Sequence, residues 1–146
     1  MTLRWLVAAL HLLALPLGLG GVWMRGRFLA RAKVDDLASA FAADTAWGIA
    51  ALIWISTGLW RAFGGLEKGS DYYLHSSPFH WKMGLLILIL LLEVWPMITL
   101  IKWRVARVRR TTPDLTIAPT LALISYAQAL LVVGMVLAAT AMARGI

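Results

Sequence analysis

The sequence predicts an all-α fold: a bundle of four transmembrane helices in a multi-pass membrane protein. Three observations lead there. Hydrophobic residues fill 61% of the 146 positions and charged residues only 14%, whereas soluble domains run near half apolar and a quarter charged. Four stretches, 3–24, 41–63, 79–101 and 119–143, are mostly apolar over the roughly 20 residues that a spanning helix needs. The net charge of +7 gathers in two of the connections, as the positive-inside rule and contact with anionic lipid would produce. In so apolar a chain this charge argues against a nucleic-acid partner. The spans take up most of residues 1–146, so a single transmembrane domain is expected.

The first span, 3–24, opens with Arg4 and continues apolar for longer than the roughly 7–15 residues of a signal-peptide core. It has no small-residue cleavage site and runs into Arg25, Arg27, Arg31 and Lys33, so it is expected to be retained. Asp35 and Asp36 are helix starters for a second helix that begins ahead of its span. Gly64-Gly65 ends that helix, Pro78 opens the third, and Thr111-Thr112-Pro113-Asp114 breaks the chain before the fourth. Trp5, Trp23, Trp60, Trp81 and Trp103 sit near span ends, as an aromatic belt would. Gly134 and Ala138 form a small-xxx-small pair suited to close helix packing.

Orientation follows from the connections. Residues 25–36 hold four basic and two acidic residues, 102–118 five basic and one acidic, and 61–78 two of each. The two basic connections are therefore expected in the cytoplasm. Both termini and the 64–78 loop would then face outward, across a bacterial inner membrane.

Ionisable residues inside spans are costly and each is a functional hypothesis. Here they are His11, Asp44, His80, Lys82 and Glu93, with Gln128 as an uncharged companion and Arg61 at a helix end. Counting from span midpoints at about 1.5 Å per residue, His11 lies about 4–5 Å outward of the centre and Glu93 about 3 Å inward. Gln128 falls about 4–5 Å inward, so a Glu93–Gln128 hydrogen bond is expected. His80 and Lys82 fall near the outer interface, about 16 and 13 Å from the centre. Lys82 and Glu93 share a helix face, and His80 points roughly away from it. Asp44 is read as a helix-end group or the partner of a cytoplasmic arginine. Glu93 is read either as a structural partner or as a proton-handling group.

The chain has no cysteine. Disulfides, thiolate metal sites, iron–sulfur clusters and covalent haem attachment are excluded. Histidine then leads as a ligand for iron or copper. His11, deep and lone among leucines, is the expected axial ligand of a haem b, or else simply hydrogen-bonds a neighbour. His80 or Met135 would be the second iron ligand, although His80 reaches His11's depth only through helix tilt. In the outer loop, Glu67, Asp71, His75 and His80 could form a surface metal site, or Tyr72, Tyr73 and His75 could cap the bundle.

The runs ALHLLALPLGLGGVWMR, DTAWGIAALIWISTGLWRAFGGLEKGSDYYLHSSPFHWKMG, LLEVWPMITLIKWR and SYAQALLVVGMVLAATAMARG resemble a bacterial family of small four-helix inner-membrane proteins of unassigned activity. The resemblance covers nearly the whole chain and implies location and topology. More distantly, ALHLL and FHWKMG resemble the helix-one histidine and the H-x-K opening of helix three in HemJ-type protoporphyrinogen oxidases. CopD-like copper-resistance membrane proteins share a similar plan. The HemJ-type likeness implies a haem b on His11 and a functional role for Lys82. It would make the chain a porphyrin-binding redox protein, with Arg61 and Lys82 pairing with propionates and Lys82 and Glu93 as catalytic candidates. As an enzyme it would oxidise a porphyrinogen-like substrate and pass electrons to a quinone or a protein partner. The alternatives are a non-catalytic subunit of a larger membrane complex or homo-oligomer, and a CopD-like metal-handling protein.

Overall fold

The computed structural model describes residues 2–34, 37–65 and 70–145. It contains α1 (Thr2–Ala30), α2 (Leu37–Phe63), the short α3 (Ser70–Leu74), α4 (Ser77–Val108) and α5 (Ala118–Arg144). Among the described residues, α1, α2, α4 and α5 are long and apolar enough to cross a membrane, as expected. The expected helix starters Asp35 and Asp36, and Glu67 of the outer loop, lie outside the described residues, as does the side chain of Tyr73.

The helices outrun the apolar stretches that predict them. α4 has 32 residues and α1 has 29, where a hydrocarbon layer takes about 20. Helix continues wherever residues of good propensity continue, whether or not lipid does. Arg25 is therefore not a loop residue: it sits within α1, five residues before Ala30.

The ends follow local chemistry. Pro78 occupies the first turn of α4, where its missing N–H costs nothing. Gly65 takes a left-handed φ of 73° just past α2, and Gly145 one of 71° past α5. At the end of α4 that position falls to Arg110, φ 56°, and the Thr111 N–H closes back on Ala106 O at 2.8 Å.

Three seams hold the bundle: α1 on α2, α1 on α5 and α4 on α5. Small residues set the tightest one. A Cβ built on Gly21 would lie 2.8 Å from Trp47 N of α2, so only hydrogen fits there. Gly26 is similarly filled by Tyr126 of α5 at 2.8 Å. The expected small pair on α5 is looser, since a Cβ on Gly134 meets Leu85 at 3.4 Å. Trp5, Trp23, Trp60 and Trp81 are exposed at the span ends, but Trp103 is buried with Leu29, Leu100 and Leu121. Trp103 thus differs from the expected belt, because α4 carries it past the apolar stretch and into the bundle end formed by the α1–α2 and α4–α5 connections.

Candidate functional site

Two polar features interrupt the apolar interior. The first is centred on Arg25, whose side chain is wholly buried. A guanidinium offers five N–H donors in a fixed fork, and all five are used. Nε donates to Ser125 Oγ at 3.0 Å. Nη1 donates to Asp44 Oδ1 at 2.8 Å and Glu93 Oε1 at 2.9 Å. Nη2 donates to Glu93 Oε2 at 3.0 Å and Gln128 Oε1 at 2.6 Å.

The acceptors are tied in turn. Trp47 Nε1 and Gln128 Nε2 donate to Glu93 Oε2 at 3.2 and 2.8 Å. The remaining Gln128 proton goes to Ile89 O at 3.1 Å. Arg104 Nη2 donates to Asp44 Oδ2 at 3.1 Å and to Phe41 O at 3.0 Å, with its guanidinium 5.2 Å from the Phe41 ring centre. Two guanidiniums therefore face two carboxylates, drawn from α1, α2 and α4 and completed by α5. Burying ions in hydrocarbon is tolerated on these terms, with opposite charges paired and every Arg25 donor used; Arg104 Nε is buried without a hydrogen-bond partner.

The expected Glu93–Gln128 bond and the expected arginine partners of Asp44 are both present in this cluster. Its centre, Arg25, escaped sequence reasoning. The signal available was spacing: Arg25 directly follows the apolar stretch 3–24, so its long side chain can reach back to a carboxylate within the bundle.

The second feature is a cavity of about 440 Å³ toward the bundle end that carries the chain termini. It gathers His11 of α1, Arg61 of α2, Lys82 of α4 and Met135 of α5 on a mostly apolar wall. His11 is buried. Its Nδ1 lies 2.9 Å from Thr57 Oγ1, and that hydroxyl lies 2.6 Å from Ile53 O. The hydroxyl donates to the helix carbonyl, so it accepts from His11 Nδ1–H and leaves the ring's lone pair on Nε2. Trp54 lies against the ring, centroids 5.7 Å apart. Lys82 is half-buried and, among the described residues, forms no ion pair or hydrogen bond.

The other expected site residues lie elsewhere. His80 is exposed, and its Nε2–H donates to Leu74 O at 2.7 Å. It does not line the cavity, as its opposite bearing from Lys82 predicts. Glu93 belongs to the Arg25 cluster, not to the cavity wall. His75 Nδ1–H donates to Asp71 O at 2.8 Å. Among the described residues no three His, Asp or Glu side chains converge as a metal site, so the expected surface metal site has no ligand set there. Tyr72 does cap the bundle, its hydroxyl donating to Met142 O at 3.4 Å.

Four helices long and apolar enough to span a bilayer, clasped by an ion cluster at one end and enclosing a cavity at the other, define an integral membrane protein. The chain belongs to the family described as "Predicted membrane protein (DUF2214)", which matches residues 3–146. No curated protein and no solved structure matches it.

Proposed function

We propose that the protein is a multi-pass protein of a bacterial inner membrane, both termini outward, that binds a porphyrin-class ligand in the His11 cavity, haem b in its redox form. The observation that carries this reading is the meeting of His11, Lys82, Arg61 and Met135 on one apolar cavity. The donor set suits the group. Thr57 fixes the tautomer that offers Nε2 to iron, as the outer hydrogen bond of a ligating histidine does. Met135 supplies a thioether from the facing helix. Lys82 and Arg61 suit propionate carboxylates. The volume of about 440 Å³ falls within the range of roughly 300–1,000 Å³ for small-molecule sites.

Bound haem supplies one-electron chemistry. The chain's own residues bind, orient and exclude water. If the protein acts on a substrate, a porphyrinogen is the class that the same wall would hold, with a quinone as electron acceptor. Glu93 takes no part in this reading, because Arg25 occupies it. His80 takes none, because Leu74 O does.

Purified protein, expressed with ample haem, should show a Soret band and a sharp α band on reduction. Both should disappear in His11→Ala. Lys82→Gln should weaken binding of protoporphyrin but leave binding of its dimethyl ester unchanged. A colourless wild-type protein would falsify the proposal.

A further inference from the structure

We infer that this cavity is loaded sideways from the lipid phase, by an amphiphile already dissolved in the membrane, and not from water through the end of the bundle. The inference rests on the reading that the cavity holds a ligand.

Among the described residues, an apolar plug crowds the water-facing end of the cavity. Ala62 and Phe79 are buried and form the cavity wall at that end, with Tyr72, Met83 and Met142, which also line it, packed against them. Phe63 meets Phe79 edge-on, centroids 5.9 Å apart. Two hydrogen bonds fasten α3 over this plug: Tyr72 Oη to Met142 O at 3.4 Å, onto α5, and His80 Nε2 to Leu74 O at 2.7 Å, onto α4.

The route from lipid is not plugged. α2 and α4 supply facing walls of the cavity, yet they do not pack on each other as the other neighbouring pairs do. Their side-chain hydrogen bonds lie at the opposite end, through Trp47–Glu93 and Arg104–Asp44, and at the cavity end they meet through Ala62, Phe63 and Phe79. Leu12 and Leu59 line the cavity and are at the same time 63% and 44% exposed. Leu12 lies roughly 15 Å along α1 from Thr2, a depth of hydrocarbon and not of water. The cavity wall and the lipid-facing surface are thus continuous at that depth.

The charge in the cavity selects the kind of amphiphile. Lys82 lies about 7–8 Å along α4 from Ser77, near interfacial depth. An ammonium there, without an ion pair among the described residues, suits an acid whose body lies deeper, against Leu12 and Met135. A membrane-dissolved acid presents its head and body at these two depths before it enters, so it need not turn over.

The absence of cysteine makes the test clean. Leu86→Cys and, separately, Ala139→Cys each place one thiol on the cavity wall. Each is labelled with bimane and reconstituted into vesicles without haem. Thr111→Cys, in the exposed connection, serves as the water-facing control. Lipids brominated at mid-chain should quench both cavity labels, and iodide should quench only the control. Quenching of the cavity labels by iodide and not by bromolipid would overturn the lipid route and leave the haem reading standing. Bromolipid quenching in a protein that is colourless with ample haem would support the route and remove the haem reading.

Discussion

The Arg25 guanidinium and the Glu93 carboxylate lie fork to fork, Nη1 2.9 Å from Oε1 and Nη2 3.0 Å from Oε2. Two parallel charge-assisted bonds fix both distance and plane. They join α1 to α4, two helices that otherwise share no extensive seam. Arg25→Met should cost about 3–5 kcal/mol, the usual range for stranding the partner of a buried charge. Arg25→Lys should recover little, because three ammonium donors cannot fill five positions. Adding Glu93→Gln to Arg25→Met should regain stability over the single variant, a coupling of about 0.5–3 kcal/mol. Unfolding in mixed micelles measures all three, and an Arg25→Met protein as stable as wild type would refute the cluster's structural role.

Gly21 and Gly20 provide a matched pair on α1. A Cβ on Gly21 would press on Trp47 N at 2.8 Å, whereas one on Gly20 meets nothing within 4 Å. Gly21→Ala should separate α1 from α2 and destabilise by about 1–3 kcal/mol. Gly20→Ala should stabilise by up to about 1 kcal/mol through helix propensity. Equal midpoints for the two variants would contradict the close approach at Gly21.

Thr57 is a positioning residue for His11. Thr57→Val removes the oxygen that accepts Nδ1–H; on the proposed reading that His11 ligates haem, haem affinity should fall by about 10–100-fold, as for other outer-sphere partners of ligating histidines. Thr57→Ser should restore both affinity and the reduced α-band position. Haem titration followed by absorbance distinguishes this from a packing effect, which serine would not repair.

In the α4–α5 connection the Asp114 carboxylate accepts the Thr116 N–H at 3.0 Å. That bond holds the carboxyl below its ordinary value of 3.8. A depressed folded-state value means that the unfolded chain takes up the proton first as pH falls. The stabilisation is complete above the ordinary value and is lost as pH falls through the folded one. The gap in melting temperature between wild type and Asp114→Ala should therefore be present at neutral pH and close under acid conditions. A gap that widens on acidification would reverse the assigned sign.

What the sequence disclosed depended on whether a feature was local. The spans, Pro78, Gly65 and the exposed tryptophans follow from apolar runs and turn chemistry. Depth counting brought Glu93 to Gln128, because both sit near their span midpoints and small register errors do not separate them. Asp44 was legible as an arginine partner for a similar reason. Arg25 was not, because a cationic residue after Trp23 and Met24 reads the same whether its side chain meets water or three neighbouring helices. Only the partners decide that, and they come from up to 103 residues away. Likewise the positions of His11 and Lys82 were legible, but not the cavity they share, which depends on α2 and α4 standing apart.

The Arg25 cluster also has an order in time. Asp44 follows Arg25 by 19 residues, and Glu93 by 68. α1 is therefore synthesised with a guanidinium whose first partner carboxylate among the described residues, Asp44, arrives only with the next helix. Leaving α1 alone in lipid would expose that charge, so α1 and α2 are best inserted as a hairpin whose Arg25 and Asp44 cancel. Glu93 and Gln128, synthesised later, replace water on the remaining donors. The last two helices thus complete a pairing that the first two begin, and a truncation after α2 would leave a hairpin half-satisfied and exposed to quality-control proteolysis.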